Sequence, residues 1–446
     1  MNERSRLVLT ALAVRGHRSA TRERIENYQH RKLRQVIEHA YRCVPYYTDL
    51  FNRHDLKPSD IRTAADLHRV PITRKRDIRA LPLEQLLARG VDSTQLFERT
   101  TSGVTGEPFI IRRTPREELL LSAVFLRREL RALGVRRGDR IALIKAHSRN
   151  RFAPPSRQNP LMNALKKALI REAGTDNVQR FNAFIPLDDI VEKLRAQTPT
   201  VVSGYPGILA RIAERVESRG IRDIRPRLAL TGAEVLTPAM RQLIARAFGS
   251  RVYDTYGSCE FGRIATECVE TGEYHLCADS VLVEVLDGGR RAAEGETGTV
   301  IATNLHSYAM PFIRFELGDF AIQGRTQCTC GSPFGTLRQI MGRTIDSFRL
   351  PDGSDMHPWT ILDAVWPHIV GWIAQYRFVQ ESPGRVVMSA VPRRMPSVAE
   401  IDDLDRRAKG VLGRDVEFTC DVVSELEADA SGKTRVFRSL VCTGSD

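Results

Sequence analysis

The chain has 446 residues, an ordinary apolar content and a formal charge of +13. That length allows one large domain plus a smaller one, no apolar run is long enough to span a bilayer, and eight cysteines in so long a chain argue against a disulfide scaffold. Arg carries nearly all of the positive charge and is scattered along the chain, which fits a codon bias better than a nucleic-acid face; the denser stretches Arg69 to Arg79 and Arg149 to Arg180 suit a polyanionic small molecule.

Taken in chain order, Leu7 to Val14 mimics a signal peptide, but Arg15, His17 and Arg18 follow at once without a small-residue cleavage site. The expectation is an N-terminal helix of a cytoplasmic protein. Glu23 to Arg42 reads as a helix stopped by Pro45, and Thr73 as the N-cap of a helix beginning in Pro71 to Asp77. Thr100 to Pro108 is a loop of small and hydroxylated residues, followed by the β-prone run Phe109-Ile110-Ile111 and a helical pattern from Arg116 to Leu133. Arg140 to Ile144 reads as a buried strand and Ser148 to Pro160 as a mobile loop. Strands at Thr200 to Ser203, Arg227 to Leu230 and Arg251 to Thr255 alternate with helices at Ile208 to Arg219 and from Thr237, an N-cap before Pro238, to Phe248. The alternation predicts an α/β fold with a mainly parallel sheet. After Gly262 the pattern turns to antiparallel hairpins, Ser280 to Leu286 and Gly298 to Thr303 around Asp287-Gly288-Gly289, which suggests a small β-barrel-like subdomain. From about Gly342 a separate α+β unit is expected, with strands near Tyr376 to Gln380 and Val386 to Val391 and a helix from Val398 to Leu412, giving domains 1–341 and 342–446.

The loop Thr101, Ser102, Gly103, Val104, Thr105, Gly106 combines two glycines with hydroxyls, a composition that can wrap backbone N–H groups round a phosphate. It is not a Walker loop, and taken alone a surface turn is the better reading. Later stretches change its weight: Thr231-Gly232-Ala233-Glu234, Tyr256-Gly257-Ser258-Cys259-Glu260-Phe261-Gly262, Ile313-Arg314-Phe315-Glu316-Leu317-Gly318-Asp319, Gly342-Arg343-Thr344-Ile345-Asp346 and Ser431-Gly432-Lys433-Thr434-Arg435. This ordered series resembles the adenylate-forming superfamily of acyl-CoA synthetases and adenylation domains, in its short phenylacetate–CoA ligase branch with the capsular-polysaccharide-type members. The resemblance spans most of the chain, from about Val44 to Lys433.

The resemblance implies a large N-terminal ATP- and acid-binding domain and a small mobile C-terminal domain. It implies activation of a carboxylic acid, an aromatic one by likeness, to an acyl-adenylate with ATP and Mg2+, then transfer to coenzyme A. Thr101, Ser102, Gly103, Thr105 and Gly106 would cradle phosphate; Gly232, Ala233 and Glu234 would line the adenine pocket, and Tyr256, Gly257 and Ser258 would pack on adenine. Glu260 would bind Mg2+, Asp319 the ribose hydroxyls, and Arg343 ribose or phosphate. Lys433 would reach the carboxylate and α-phosphate and leave when the C-terminal domain rotates about Gly342 to Asp346. His147, Tyr205 and Gly207, at predicted strand ends on one edge, are candidates for the acid pocket, with a core role as the alternative. Cys268, His275, Cys328 and Cys330 offer three thiols and an imidazole for structural zinc, and the resemblance, not the spacing, raises that reading above ordinary buried cysteine. The chain departs from the family pattern at Val104, at Glu107 where relatives carry Lys nearby, and at Ile345. An amine or a carrier-protein thiol as acceptor, a catalytically degenerate homologue, and a basic zinc protein binding nucleic acid are the rival readings. The partners expected are the acid, ATP and coenzyme A, without membrane or nucleic acid, and a homodimer is left open.

Overall fold

Short apolar runs build the three central strands of the parallel sheet, as strands covered on both faces require, while its two edge strands, Val178–Asn182 and Arg251–Tyr253, are more polar and partly exposed. In a computed structural model of the chain, which describes residues 10, 14, 16–100, 109–145, 152–153, 177–343, 348–356, 358–369, 371–427 and 435–441, two compact units are present. One comprises Met1–Asp139, Ser148–Asn177 and Thr255–Ile340; the other comprises Arg140–His147, Val178–Asp254 and Met341–Asp446.

The second unit holds strands β1 (Ile141–Lys145), β2 (Val178–Asn182), β3 (Val201–Gly204), β4 (Leu228–Thr231) and β5 (Arg251–Tyr253) in the order β2-β1-β3-β4-β5, all parallel. Helices α1 (Leu187–Gln197), α2 (Pro206–Ser218) and α3 (Pro238–Phe248) link successive strands. Helix α3 begins where its sequence signals it: the Thr237 hydroxyl accepts from Met240 N at 3.3 Å, Pro238 takes the first turn, and Gly249 ends the helix at φ +63°. The strand order reverses between β1 and β3, and in open α/β sheets ligands bind beyond the carboxyl ends of strands at such a reversal.

The expected strand Arg251 to Thr255 is broken at Asp254. The buried Asp254 carboxylate accepts from the Thr231 hydroxyl at 2.6 Å, and the chain then enters the first unit as β6 (Thr255–Ser258). There β7 (Gly262–Glu267), β8 (Tyr274–Leu276), β9 (Val281–Asp287), β10 (Arg290–Arg291), β11 (Thr297–Asn304), β12 (Phe315–Gln323) and β13 (Thr336–Arg343) form an eight-stranded sheet ordered β10-β9-β11-β12-β13-β8-β7-β6. The barrel-like expectation holds for curvature and not for closure, since among the described residues β10 and β6 remain as edges. The sheet curls strongly. β6 and β12 are four strand spacings apart, roughly 19 Å in a flat sheet, yet the Tyr256 hydroxyl on β6 donates to Asp319 on β12 at 2.6 Å. The rings of Phe261, Phe312 and Phe315 are fully buried in this sheet's core.

In this unit one local expectation holds and one fails. The helix Arg22–Cys43 ends at the extended Val44, the residue before Pro45, as expected, and Pro45 also opens the next helix, Pro45–Arg53, at the first turn where a missing N–H is harmless. Thr73 is not an N-cap; it is buried and exchanges backbone hydrogen bonds with Arg314 and Glu316, and the short helix Lys75–Arg79 starts after Arg74. The helical pattern from Pro115 to Ala132 is present, with a π-helical middle at Leu120–Phe125. The fully buried Asp279 draws this helix and the N-terminal segment together. Burial pushes its carboxyl up, but Arg128 and the His17 hydrogen bond at 2.6 Å outweigh that and hold it at about 2.

After β13 the second unit resumes with β14 (Phe348–Arg349) paired to β15 (Asp355–Met356), and helix α4 (Trp359–Ile369). The strands β16 (Ile373–Ser382), β17 (Arg385–Pro392), β18 (Glu417–Val422) and β19 (Phe437–Ser439) form a sheet ordered β18-β17-β16-β19, with α5 (Val398–Leu412) capped by Ser397 as the sequence predicts. Gln375 of β16 donates to Glu214 of α2 at 2.7 Å, tying the C-terminal sheet to a helix of the parallel one.

Gly257 has no room for a side chain: a Cβ there would collide with the Gly262 carbonyl across the β6–β7 turn. Gly257→Ala is expected to lower unfolding free energy by about 1–3 kcal/mol, read from urea denaturation. An unchanged midpoint would mean that this close approach is not present in solution.

Candidate active site

The candidate residues fall into two groups, one in each unit. In the second unit, β3 and β4 are neighbours, so the loops that follow them emerge side by side at the carboxyl edge. The first carries Tyr205 and Gly207, the second Gly232, Ala233 and Glu234. The Glu234 carboxylate accepts from Gly207 N at 3.0 Å. Helix α2 has no side-chain cap from its own N-cap residue, Tyr205, so Glu234 satisfies one of its free N–H groups from the adjacent loop. Ala233 adopts φ +69°, a left-handed conformation rare for a residue with a Cβ and common at functional turns. Lys145 ends β1 and holds its ammonium 6.0 Å from the centre of the Tyr205 ring. Sequence reasoning passed over Lys145, although its place at the end of a buried strand was the available signal.

In the first unit, the strands Phe97–Thr100 and Ile110–Arg113 form an antiparallel hairpin with Thr100 opposite Ile110. The proposed phosphate cradle, Thr101, Ser102, Gly103, Thr105 and Gly106, is the connection of that hairpin and lies outside the described residues. His147, Lys433, Ile345 and Asp346 also lie outside them, as does the side chain of Arg343, the last residue of β13.

Arg113, at the foot of the hairpin, is buried and donates to the carbonyls of Cys259, at 2.5 Å, and Glu260, at 3.0 Å. Burial works against its charge, and the neighbouring Glu118 offsets it; Glu118 also binds Arg99. This buried network fixes the turn after β6 on which Ser258, Cys259 and Glu260 sit. The Ser258 hydroxyl accepts from Phe261 N within the same turn at 3.3 Å. The Glu260 side chain is only 8% exposed and lies 3.5 Å from the Lys75 ammonium, which also sits 5.6 Å from the centre of the Phe109 ring. Lys75 and Arg113 were not singled out from the sequence; the basic stretch around Arg69 to Arg79 was noted only for its charge.

The Tyr256 ring is buried in the core of the first unit, and its hydroxyl orients the half-exposed Asp319 carboxylate. Gly257 serves close approach of the β7 backbone, so the packing need of that turn is met within the fold.

Cys268, His275, Cys328 and Cys330 come together although sixty residues separate the first from the third. Cys268 follows β7, His275 lies on β8, and the last two occupy the β12–β13 connection, so the hairpins deliver all four to one place. Their ligand atoms lie within 4.8 Å of one another, with Sγ to Sγ of Cys268 and Cys328 at 3.9 Å and Cys330 Sγ to His275 Nε2 at 3.3 Å. A tetrahedral zinc bound by thiolate and imidazole would set such separations at about 3.5–3.8 Å, so the residues fit the ion. Burial lowers the His275 pKa to about 4, leaving the neutral imidazole that ligates metals.

No family model matches the chain. It is similar to the phenylacetate–coenzyme A ligase of Thermus thermophilus, 28% identical over 81% of this chain and 80% of that one. The phenylacetate–coenzyme A ligase of Pseudomonas putida is 25% identical over 78% and 76%, and Protein CapK of Staphylococcus aureus 20% identical over 91% and 87%. Among solved structures, a 2-hydroxyisobutyryl-CoA ligase in its postadenylation state aligns with a TM-score of 0.77 at 20% identity, covering 95% of this chain and 91% of that one. The fold is therefore that of the adenylate-forming ligases. In sequence the chain is similar to phenylacetate–coenzyme A ligases, at 25–28% identity over most of its length.

Replacing Ala233 by Gly removes the strain of its left-handed backbone. Ala233→Gly is expected to raise stability by about 1 kcal/mol, seen as an upward shift of the urea midpoint. A lower midpoint would show that the Ala233 methyl makes packing contacts worth more than the strain.

Proposed function

We propose that this protein activates a carboxylic acid with ATP and transfers it to coenzyme A. The observation that carries this reading is similarity to phenylacetate–coenzyme A ligases over about four-fifths of both chains, together with the fold. In the first half-reaction a carboxylate oxygen attacks the α-phosphorus of ATP. The bond to the β-phosphate oxygen breaks, and pyrophosphate leaves with that electron pair. In the second, the coenzyme A thiol loses its proton and attacks the acyl carbon, the acyl–oxygen bond breaks, and AMP leaves.

Asp319, held by Tyr256, accepts from the ribose hydroxyls; the 101–106 loop and Lys433 bind phosphate. Glu260 would hold Mg2+, which supplies charge neutralisation at the phosphates. Lys75, already beside Glu260, adds a second cation there. The strand edge with Lys145, Tyr205 and Gly207 is assigned to the acid, and an aryl acid fits the aromatic side chain and the named activity of the relatives. Residues 342–446 act as the moving domain that carries Lys433 in and out, with residues 1–341 as the ATP- and acid-binding domain. The four-ligand cluster holds zinc and pins the β7–β8 and β12–β13 connections together. No helix among the described residues is long and apolar enough to cross a membrane.

Pyrophosphate release from ATP and Mg2+ across a panel of aryl and aliphatic acids is the test. Release is expected with an aryl acid, falling about 100-fold or more in kcat/KM in Lys433→Ala and Asp319→Ala. Thioester should appear only when coenzyme A is added. No release with any acid and no ATP binding by calorimetry would leave a non-catalytic homologue. Adenylate formation without thioester would move the acceptor to an amine or a carrier thiol.

Metal content offers a separate check. The purified protein is expected to carry about one zinc per chain by elemental analysis, with Cys328→Ser and Cys330→Ser losing both metal and thermal stability. Metal-free protein of full stability would reduce the cluster to buried thiols.

A further inference from the structure

A solvent-open cavity lies in the first unit, apart from every residue assigned above. Its volume is about 460 Å³, with Glu284, Leu286 and Arg314 at its floor and Ala65, His68, Gly289, Arg290 and Arg291 round its mouth. The floor is charged and buried: Glu284 is 4% and Arg314 6% exposed. Arg314 comes from the turn before β12 and adopts φ +48°, a strained conformation for an arginine. Its Nη1 donates to the carbonyls of His68 at 2.9 Å and Val70 at 2.7 Å, which aims the rest of the guanidinium at the cavity floor.

The ionic contacts there are loose. Glu284 stands 3.5 Å from Arg291 Nη2 on one side and 3.5 Å from Arg314 Nε on the other. Neither contact closes a hydrogen bond, and Glu284 Oε1 and Arg314 Nε are buried without one. Burial accordingly pushes the Glu284 carboxyl above its ordinary range. Arg314 and Glu284 face each other at the floor, and the exposed Arg291, whose Nη2 also donates to the Ala64 carbonyl at 2.7 Å, adds a second positive charge at the mouth. Arg290 at the mouth is engaged by Glu296 and Asp287. Buried charges that neither pair closely nor meet bulk water are costly, and a ligand with matching groups would satisfy both at once.

We propose that this cavity is a binding site for a small organic oxyanion that also carries a hydroxyl or amino hydrogen. Its phosphate or carboxylate group binds the guanidinium groups of Arg314 and Arg291, and its O–H or N–H donates to Glu284 Oε1. The site is independent of the adenylation reading, because none of its residues belongs to the assigned ATP or acid machinery.

Calorimetry and thermal shift with inorganic phosphate, glycerol 3-phosphate and malate test it, each with and without saturating AMP. A hydroxylated probe is expected to bind more tightly than inorganic phosphate, unaffected by AMP. Glycerol 3-phosphate against malate tells a phosphate ligand from a carboxylate one. Arg291→Glu should weaken binding roughly tenfold or more, and Glu284→Leu, which has no acceptor, should remove the preference for the hydroxylated probe. Ala65→Trp, at an exposed position on the mouth, should block entry without touching the buried charges. Absence of binding by all three probes overturns the proposal. So do displacement by AMP, binding unchanged in Arg291→Glu and Ala65→Trp, and a site that takes only inorganic phosphate.

Discussion

The buried guanidinium of Arg113 is the constraint on which the first unit's site depends. A cation out of water costs several kcal/mol unless charge and hydrogen bonds surround it. Here Glu118 and the carbonyls of Cys259 and Glu260 do so. The partners come from two parts of the chain and Arg113 itself from the hairpin, so satisfying this charge fixes three pieces at once. The hairpin that carries the 101–108 loop, the helix starting at Pro115, and the turn bearing Glu260 are placed by one side chain. The neighbouring Glu117 extends the effect: its buried carboxylate accepts from Tyr308 N and Ala309 N, and so holds the segment that leads into β12 and Asp319. Adjacent acids on one helical turn thus position two chain segments about 50 residues apart.

Curl of the eight-stranded sheet completes the arrangement. Four strand spacings would keep Tyr256 and Asp319 apart in a flat sheet, and only a strongly coiled one lets a phenol reach that carboxylate. The close backbone approach at Gly257 is part of the same bend, because β6 and β7 meet there without room for a methyl group. The sheet also brings the β7–β8 and β12–β13 connections to one place, which is why four ligands distant in sequence share a site.

The periodic elements were legible: the apolar strands of the parallel sheet, the Thr237-Pro238 start of α3 and the Ser397 start of α5 rest on local signals that packing does not override. The failures lie elsewhere. Thr73 carries a signal that fits a cap or a strand partner, and the deciding contacts, with Arg314 and Glu316, come from far along the chain. Barrel against open sheet turns on whether two edges pair, which no strand's own sequence states. In the candidate site, carboxylates and glycines at motif positions were visible, while Arg113 and Lys75, which hold them, lie in stretches read only for secondary structure or charge. Motifs name the groups that touch ligand; the groups that set their positions are buried, and burial follows from tertiary packing.

Glu234 shows how the structure narrows a role that the motif leaves broad. The free N–H groups at the start of α2 would form an anion site on the sheet edge assigned to the acid. The Glu234 carboxylate already occupies that position on Gly207 N. A substrate carboxylate would have to displace it or bind elsewhere along the edge, and a second negative charge beside Glu234 would be repelled. Under the proposed function the acid group would then point away from α2, toward the carboxyl end of β1 where Lys145 supplies positive charge, and Tyr205 and the first residues of α2 would meet the apolar part of the molecule. On this argument Glu234 and the strained Ala233 shape the site from behind: one fills the helix terminus, and the other turns the chain so that it can.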